Sequence, residues 1–262
     1  LGALVALLVT TIGFLPTGGA GHVLLYLVVA LTGCGIAVVH PEGLRAVHAL
    51  DRLPAATSTA IFMTGGFLGF AGGAWMGTAL VSRFGLEGLV AMAGVTLIGL
   101  CAFFIMPSRL AVEHGELEPG ILIQRPAITP KISFWPVFYI AIPSAIGSTL
   151  VTSLLPTRLH ELGFPLTHGG MAALLFGCGS AVGALAWSFL ARRRGEMFCV
   201  TAGLMLGVPI LVTYLVFIKS SYATILLMAT GACAGAAYPL LVALARNTTG
   251  PVLGTRMALM VG

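Results

Sequence analysis

Long apolar stretches recur along this whole sequence and limit the folds open to it. Seven of them reach roughly the 20 residues that an α-helix needs to cross the hydrocarbon core of a bilayer: 23–49, 55–82, 88–106, 133–155, 167–190, 196–218 and 222–246. Shorter apolar stretches stand at 1–15 and 252–262. Charged residues make up only 8% of the chain, against about 25% in soluble domains. The pattern therefore predicts an all-α integral membrane protein with seven full and two partial spans.

The basic residues alternate between the connections that join these stretches. The second, fourth, sixth and eighth connections with their flanks hold ten of them, and the alternate connections hold only Arg83, Arg158 and Lys219. The ten are Arg45, Arg52, Arg109, Arg125, Lys131, Arg192, Arg193, Arg194, Arg246 and Arg256. Because short cytoplasmic loops carry the excess of Lys and Arg, we expect the larger group on the cytoplasmic side of an inner (plasma) membrane. The net charge of +5 then indicates contact with anionic lipid rather than with nucleic acid.

A polar connection divides the chain into two parts. Residues 107–132 hold three acidic, three basic and four proline residues. We interpret this segment as a cytoplasmic linker between an N-terminal half, residues 1–106, and a C-terminal half, residues 133–262.

The two halves repeat each other weakly. A shift of 198 residues places Pro41 on Pro239 and the helix start near residue 55 on the helix start near residue 253. Each of these prolines is expected to bend its helix, because it removes a backbone hydrogen bond. Halves repeated in the same orientation place a substrate site between them, near the middle of the membrane.

A group of motif residues extends from His40 to Val81. His-Pro-Glu stands late in one predicted span, Arg follows three residues later, and Ile-Phe precedes a glycine series in the next span: His40, Pro41, Glu42, Arg45, Ile61, Phe62, Gly65, Gly66, Gly69 and Gly73. This arrangement resembles the fourth and fifth helices of major facilitator superfamily transporters, and more narrowly their fosmidomycin-resistance-like efflux branch. Ala74 stands where that family's antiporter motif has proline. Residues 154–171 and 189–197 resemble later segments of the family more loosely.

The resemblance implies a helical bundle of two pseudo-symmetric halves. The chain would cover part of the family's helix three through part of its helix eleven, as an internal piece of a longer protein. The first apolar stretch could instead be a short interfacial helix. The implied activity is secondary transport, with an antiporter exchanging protons for a small organic molecule or drug in the manner of drug-resistance efflux.

Three ionisable residues, His40, Glu42 and Arg45, lie late in the second apolar stretch. Ionisable groups at membrane depth usually line a cavity or a proton path, and imidazole changes charge near neutral pH. Residues three apart share a helix face, so Glu42 can pair with Arg45. We expect either proton coupling or gating here, or a wetted helix end whose charges reach the interface.

Small residues follow at intervals of three and four in the next span: Gly65, Gly66, Gly69, Gly72, Gly73 and Gly77. Such stripes let helix backbones approach closely. We predict that this stripe is the packing seam against the neighbouring helix of the other half, with a generic glycine contact as the alternative.

Hydroxyl groups mark the first span of the C-terminal half. Ser144, Ser148 and Thr152 share one helical face, and with Tyr238 they are candidates to line a polar cavity. The alternative is that they bond back to carbonyl groups of their own helix.

An arginine triplet, Arg192, Arg193 and Arg194, ends another span. We interpret it as a cytoplasmic anchor to anionic lipid or as a conformational latch. The latch would require an acidic partner, and Ala191 stands where the family commonly has aspartate.

Other function classes have less support. The five cysteines have no metal or disulfide spacing, no metal site is predicted, and no phosphate-binding loop suggests ATP or another cofactor. The expected partners are the lipid bilayer, a small-molecule substrate and protons. The alternatives are a membrane-embedded enzyme or lipid-handling protein, for which His40 to Arg45 would be the one ionisable cluster, and a non-transporting remnant.

Overall fold

The computed structural model describes residues 7–16, 18–49, 55–105 and 132–261. Within these ranges the chain forms eight helices: α1 Gly19–Ala49, α2 Ala55–Phe84, α3 Ala91–Ile105, α4 Phe134–Glu161, α5 Leu166–Arg194, α6 Glu196–Val216, α7 Ser221–Arg246 and α8 Leu253–Val261. Short 3-10 helices, Leu7–Phe14 and Leu86–Val90, precede α1 and α3.

Six of these helices are long and apolar enough to cross a membrane, namely α1, α2, α4, α5, α6 and α7. Helix is the expected form because a backbone in lipid must satisfy its own hydrogen bonds. The all-α membrane fold is therefore confirmed. The stretch at 88–106 begins with the 3-10 helix Leu86–Val90 and continues as α3 to Ile105, the last residue described there, so its prediction as a full span stays a prediction.

Two long helices, α4 and α7, change locally to the wider π-helical form, over Leu150–Leu154 and Gly231–Gly235. A proline follows each π turn, Pro156 in α4 and Pro239 in α7. Proline has no N–H to donate to the carbonyl four residues earlier, and π turns and prolines are the usual causes of helix kinks. The irregular backbone thus lies beside the predicted bend at Pro239. Pro41 lies within α1, and its predicted bend stays a prediction.

One end of the bundle gathers the basic helix termini. A buried cluster there joins residues near the starts of α2, α4 and α6 to residues near the ends of α5 and α7: Ala56, Phe134, Cys199, Ala191 and Leu244. The chain also links this end through its backbone, because the Phe134 N–H donates to the Thr249 carbonyl at 2.9 Å. Since α5 ends at Arg192–Arg194 and α7 at Arg246, we call this the basic end.

A second buried cluster lies at the opposite end. It joins the later part of α4 to the starts of α5 and α7 and the end of α6, through Val151, Leu159, Phe176, Tyr214 and Leu227. Arg83, Arg158 and Lys219 stand at the helix ends on this side. For the basic residues that the structure describes, the alternation in the sequence therefore corresponds to two opposite ends of the bundle.

Candidate functional site

His40 lies on α1 against the neighbouring helix α2. Its half-buried ring meets the ring of Phe62 edge to face, with 5.3 Å between centroids and 65° between planes. Gly43, about one turn further along α1, also faces Phe62, because a Cβ at Gly43 would stand 2.8 Å from that ring. The missing side chain at Gly43 thus lets α1 approach α2 beside His40. The side chains of Glu42 and Arg45 lie outside the described part of the chain, so their pairing stays a prediction.

The C-terminal half repeats this contact at the same spacing. Tyr238 and Met260 stand 198 residues after His40 and Phe62, and the Tyr238 hydroxyl donates to the Met260 carbonyl. Helix starts follow the same shift, since α2 begins at Ala55 and α8 at Leu253. One position in each half therefore ties a long helix to its successor. The proposed cavity role of Tyr238 has to allow for this bond, which already uses its hydroxyl hydrogen.

Within the described ranges, the glycine stripe on α2 does not form the predicted seam with the other half. A methyl group at Gly65, Gly66, Gly69 or Gly72 would have no non-local heavy atom of a described residue within 4 Å. Gly73 and Gly77 face Met92 and Leu89, which belong to the same half. Helix geometry explains the error: at about 100° per residue, Gly69 lies about 180° around α2 from Ala60, which is fully buried.

The opposite face of α2 makes the contact with the other half. Its members recur at spacings of four and three and face α5: Ala60, Thr64, Phe67, Ala71, Ala74 and Thr78. The two helices run antiparallel, because Thr64 near the start of α2 donates to the Ala181 carbonyl at 3.3 Å, while Thr78 near its end lies against Gly170. Small residues do form the seam, but the glycines are on α5 and the sequence signal on α2 is a stripe of Ala, Thr and Phe.

A second face of α5 packs against the π turn of α7. A Cβ at Gly183 would stand 2.6 Å from the Ala232 Cα, and one at Gly179 would stand 2.8 Å from the Met228 carbonyl carbon. The Trp187 indole N–H donates to the Ala232 carbonyl at 2.8 Å. This side chain thus satisfies a carbonyl of the irregular turn. This contact is not among the sites predicted from the sequence, although the spacing of Gly179, Gly183 and Trp187 at intervals of four is a signal that could have indicated it.

The hydroxyls on α4 divide into two groups. Thr152 bonds back to its own helix, donating to the Ser148 carbonyl at 2.9 Å, as one of the two alternatives expected. Ser144 and Ser148 are half-buried, and neither hydroxyl has a hydrogen bond to another residue in the described ranges. The role of these two hydroxyls in lining a cavity stays a prediction.

The arginine triplet ends α5 at the basic end. Arg192, Arg193 and Arg194 are exposed, and Ala191 is buried beneath them. Within the described part of the chain the triplet has no ion pair with a carboxylate, so a latch has no acidic partner there. The chain turns at once into α6 through Gly195, whose φ of 85° favours glycine.

Comparison with known proteins adds one finding. A search of curated proteins and a search of solved structures give no significant match. The profile of the Major Facilitator Superfamily matches residues 1–261. That match covers nearly the whole chain and agrees with the bundle of apolar helices, so the chain belongs to the Major Facilitator Superfamily of secondary transporters.

Proposed function

We propose that the chain takes part in proton-coupled export of a small organic molecule across the inner (plasma) membrane, with its basic end in the cytoplasm. Membership of the superfamily supports secondary transport. The resemblance of His40 to Val81 to the fosmidomycin-resistance-like branch supports export of a drug-like molecule. The excess of arginine at one end supports the orientation.

His40 is the observation that carries the coupling part of the proposal. Its half-buried ring sits between two apolar helices against Phe62, in a helix long enough to span the membrane. Imidazole changes charge between about pH 5 and pH 8, so this contact can respond to a proton gradient. Tyr238, at the equivalent position of the other half, carries a phenol that stays neutral in that range. Only the N-terminal copy of this contact would therefore gain charge on protonation.

Alternating access would rock the two halves about the α2–α5 contact. Apart from Phe67, the α2 side chains on that contact are small, which lets the two helix backbones approach closely. In the described ranges, the buried clusters that combine both halves contain Ala56, Ala60 and Met63 of α2, all toward the basic end. The cluster at the opposite end contains residues of the C-terminal half. The α2–α5 contact itself continues to the opposite end, where Thr78 lies against Gly170.

Substrate-driven proton movement tests this proposal. The purified chain would be reconstituted in liposomes that contain a pH-sensitive dye, a pH gradient would be imposed, and a panel of drug-like molecules would be added. A substrate should accelerate collapse of the gradient, and the His40→Gln variant should lose most of that acceleration. His22→Gln, an exposed histidine on the same helix, should behave as the parent.

Two results would contradict the proposal. The first is that no compound accelerates collapse of the pH gradient, which would contradict exchange of protons for a substrate. The second is accelerated collapse that is equal in the parent and in His40→Gln, which would remove His40 from the proton path. Flux of a substrate without proton movement would indicate a transporter that is not coupled to protons.

A further inference from the structure

Arg256, in the first turn of α8, reaches the end of α7. Its Nη1 donates to the Thr248 carbonyl and lies 3.2 Å from the Ala245 carbonyl oxygen and 3.1 Å from the Thr248 hydroxyl oxygen. Ala245 belongs to the last turn of α7, and Thr248 to the loop that follows. The last carbonyls of a helix have no N–H partner within it and carry partial negative charge. A guanidinium group therefore suits this position, and it has no ion pair with a carboxylate among the described residues.

The guanidinium group of Arg256 is withdrawn from water. The residue is half-buried, and its Nε–H is buried without a hydrogen-bond partner in the described ranges. Burying a donor without a partner costs free energy, so a side chain that only met lipid headgroups would keep its N–H groups at the surface. The arginine triplet at the end of α5 is exposed in this way. Arg256 thus makes an internal contact of the C-terminal half.

The loop that Arg256 contacts is itself bonded to the start of α4. The Thr249 N–H donates to the Ile132 carbonyl at 2.9 Å, and the Phe134 N–H donates to the Thr249 carbonyl at 2.9 Å. Gly250 follows with a φ of 133°, which favours glycine, and it lies beside the fully buried Phe134. One side chain of α8 therefore holds the loop through which α4 is bonded to the end of α7.

We propose that Arg256 is a positioning residue that fastens the basic ends of α4, α7 and α8 into one body. The buried cluster at this end supplies apolar contacts, which have no preferred direction. The bonds from Arg256 add direction, because they order the loop at Thr248 and thereby the two bonds between Thr249 and the start of α4. A second polar contact between α7 and α8, from the Tyr238 hydroxyl to the Met260 carbonyl, lies about 10 Å deeper along α7 at 1.5 Å per residue and does not include α4. The role in transport rests on the rocking motion proposed above, in which the C-terminal half has to move as a unit.

Hydrogen–deuterium exchange of the purified chain in detergent micelles tests this role. The Arg256→Gln variant should exchange the Phe134 and Thr249 amide protons about 10-fold faster than the parent, because hydrogen bonds to a charged group contribute enough to change local opening by that factor. Arg256→Lys should give a smaller increase, since lysine keeps the charge beside the helix end but lacks the planar set of donors. The matched control is Arg246→Gln, which removes a half-buried cation from the end of α7 whose guanidinium has no hydrogen bond to a described residue. It should exchange as the parent.

An amide at the opposite end separates a local effect from a general loss of stability. The Phe164 N–H donates to the Leu159 carbonyl at 3.1 Å, and its exchange should not change in Arg256→Gln. An increase at Phe164 equal to that at the basic end would overturn the positioning role, because the whole fold would then be less stable. Unchanged exchange at both basic-end amides would show that Arg256 does not hold the loop, and an equal increase in Arg246→Gln would assign the effect to charge alone. These measurements need neither a substrate nor a pH gradient, so failure of this role and failure of proton-coupled export are distinguishable.

Discussion

Helix α5 uses small residues on two faces, and the two faces differ in what lies opposite them. Toward α7, Gly179 and Gly183 face backbone atoms, the Met228 carbonyl group and the Ala232 Cα and carbonyl oxygen. Toward α2, the nearest atom to a Cβ at Gly170 would be the Thr78 hydroxyl. Gly177 would meet the Ala71 Cβ at 2.6 Å. The contact within the C-terminal half is thus set by backbone, and the contact between the halves largely by side chains.

This difference separates a fixed contact from an adjustable one. A backbone carbonyl in a helix cannot move without displacing a whole turn, whereas a threonine side chain can change rotamer. The α5–α7 contact should therefore hold the C-terminal half together as one body. We therefore expect the α2–α5 contact to change at smaller energetic cost, as the rocking motion proposed above would require.

Gly183→Ala should have the largest effect. The added methyl group would overlap the Ala232 carbonyl group, and overpacking of this kind destabilises by about 3 kcal/mol. The free energy of unfolding in mixed detergent micelles would measure it. Gly33→Ala is the control, because Gly33 is an exposed helical glycine with open space at the Cβ position.

Rescue distinguishes a backbone clash from a side-chain clash. Ala232→Gly in the Gly183→Ala background should restore little, because the carbonyl oxygen remains. If Gly183→Ala proves as stable as Gly33→Ala, or if Ala232→Gly restores it fully, the α5–α7 contact is not set by backbone.

The two faces of α5 also show which features of the fold can be predicted from the sequence and which cannot. Apolar length predicted the spanning helices, because each helix must satisfy its own backbone in lipid. The alternation of basic residues predicted which of the described helix ends lie together at the C-terminal part of the chain, those of α5 and α7 at one end and of α4 and α6 at the other. The packing seam was assigned to the glycine face of α2. A high glycine content indicates that another helix can approach closely there, but it does not identify which helix does so.

The π turn of α7 could not be predicted from the sequence for a related reason. Gly231–Gly235 contains residues that favour close packing and none that requires a π turn. What fixes the turn is its position between α5 and α6, with Trp187 donating to it from α5 and Gly203 and Gly207 facing it from α6. Such a contact depends on distant segments meeting, which periodicity does not encode.

Gly170→Ala tests the adjustable face and should have a smaller effect, a destabilisation of about 1 kcal/mol. The added methyl group would meet the Thr78 side chain, with the Thr78 Cβ at 3.0 Å and the Ala74 carbonyl oxygen at 3.1 Å. Thr78→Ala in the same chain removes the hydroxyl and should restore most of the lost stability. Comparison of the double variant with the two single variants gives the coupling. Additive effects would show that Thr78 does not limit this contact.

Trp187→Phe, which changes the fixed α5–α7 contact, should lower the free energy of unfolding by a still smaller amount. It keeps an aromatic ring and removes the N–H that bonds the Ala232 carbonyl, and hydrogen bonds between membrane helices contribute about 1 kcal/mol or less. Trp135→Phe is the matched control, because Trp135 is 46% exposed and its indole has no hydrogen bond to a described residue. The same unfolding titration compares them, and a loss in Trp135→Phe equal to that in Trp187→Phe would contradict a specific bond to the π turn.

Gly69→Ala should have no destabilising effect, and this result separates the seam expected from the sequence from the seam found in the fold. Gly69 belongs to the glycine stripe of α2, yet it lies on the face away from α5 with open space at its Cβ position. Alanine is the better helix former by about 1 kcal/mol in water, so the variant should be as stable as the parent or slightly more so. Gly177→Ala, across the true contact, is the comparison, because its methyl group would stand 2.6 Å from the Ala71 Cβ. If Gly69→Ala lost as much stability as Gly177→Ala, the glycine face of α2 would also be covered in the folded protein. The adjustable contact could then not be assigned to the alanine and threonine face of α2 alone.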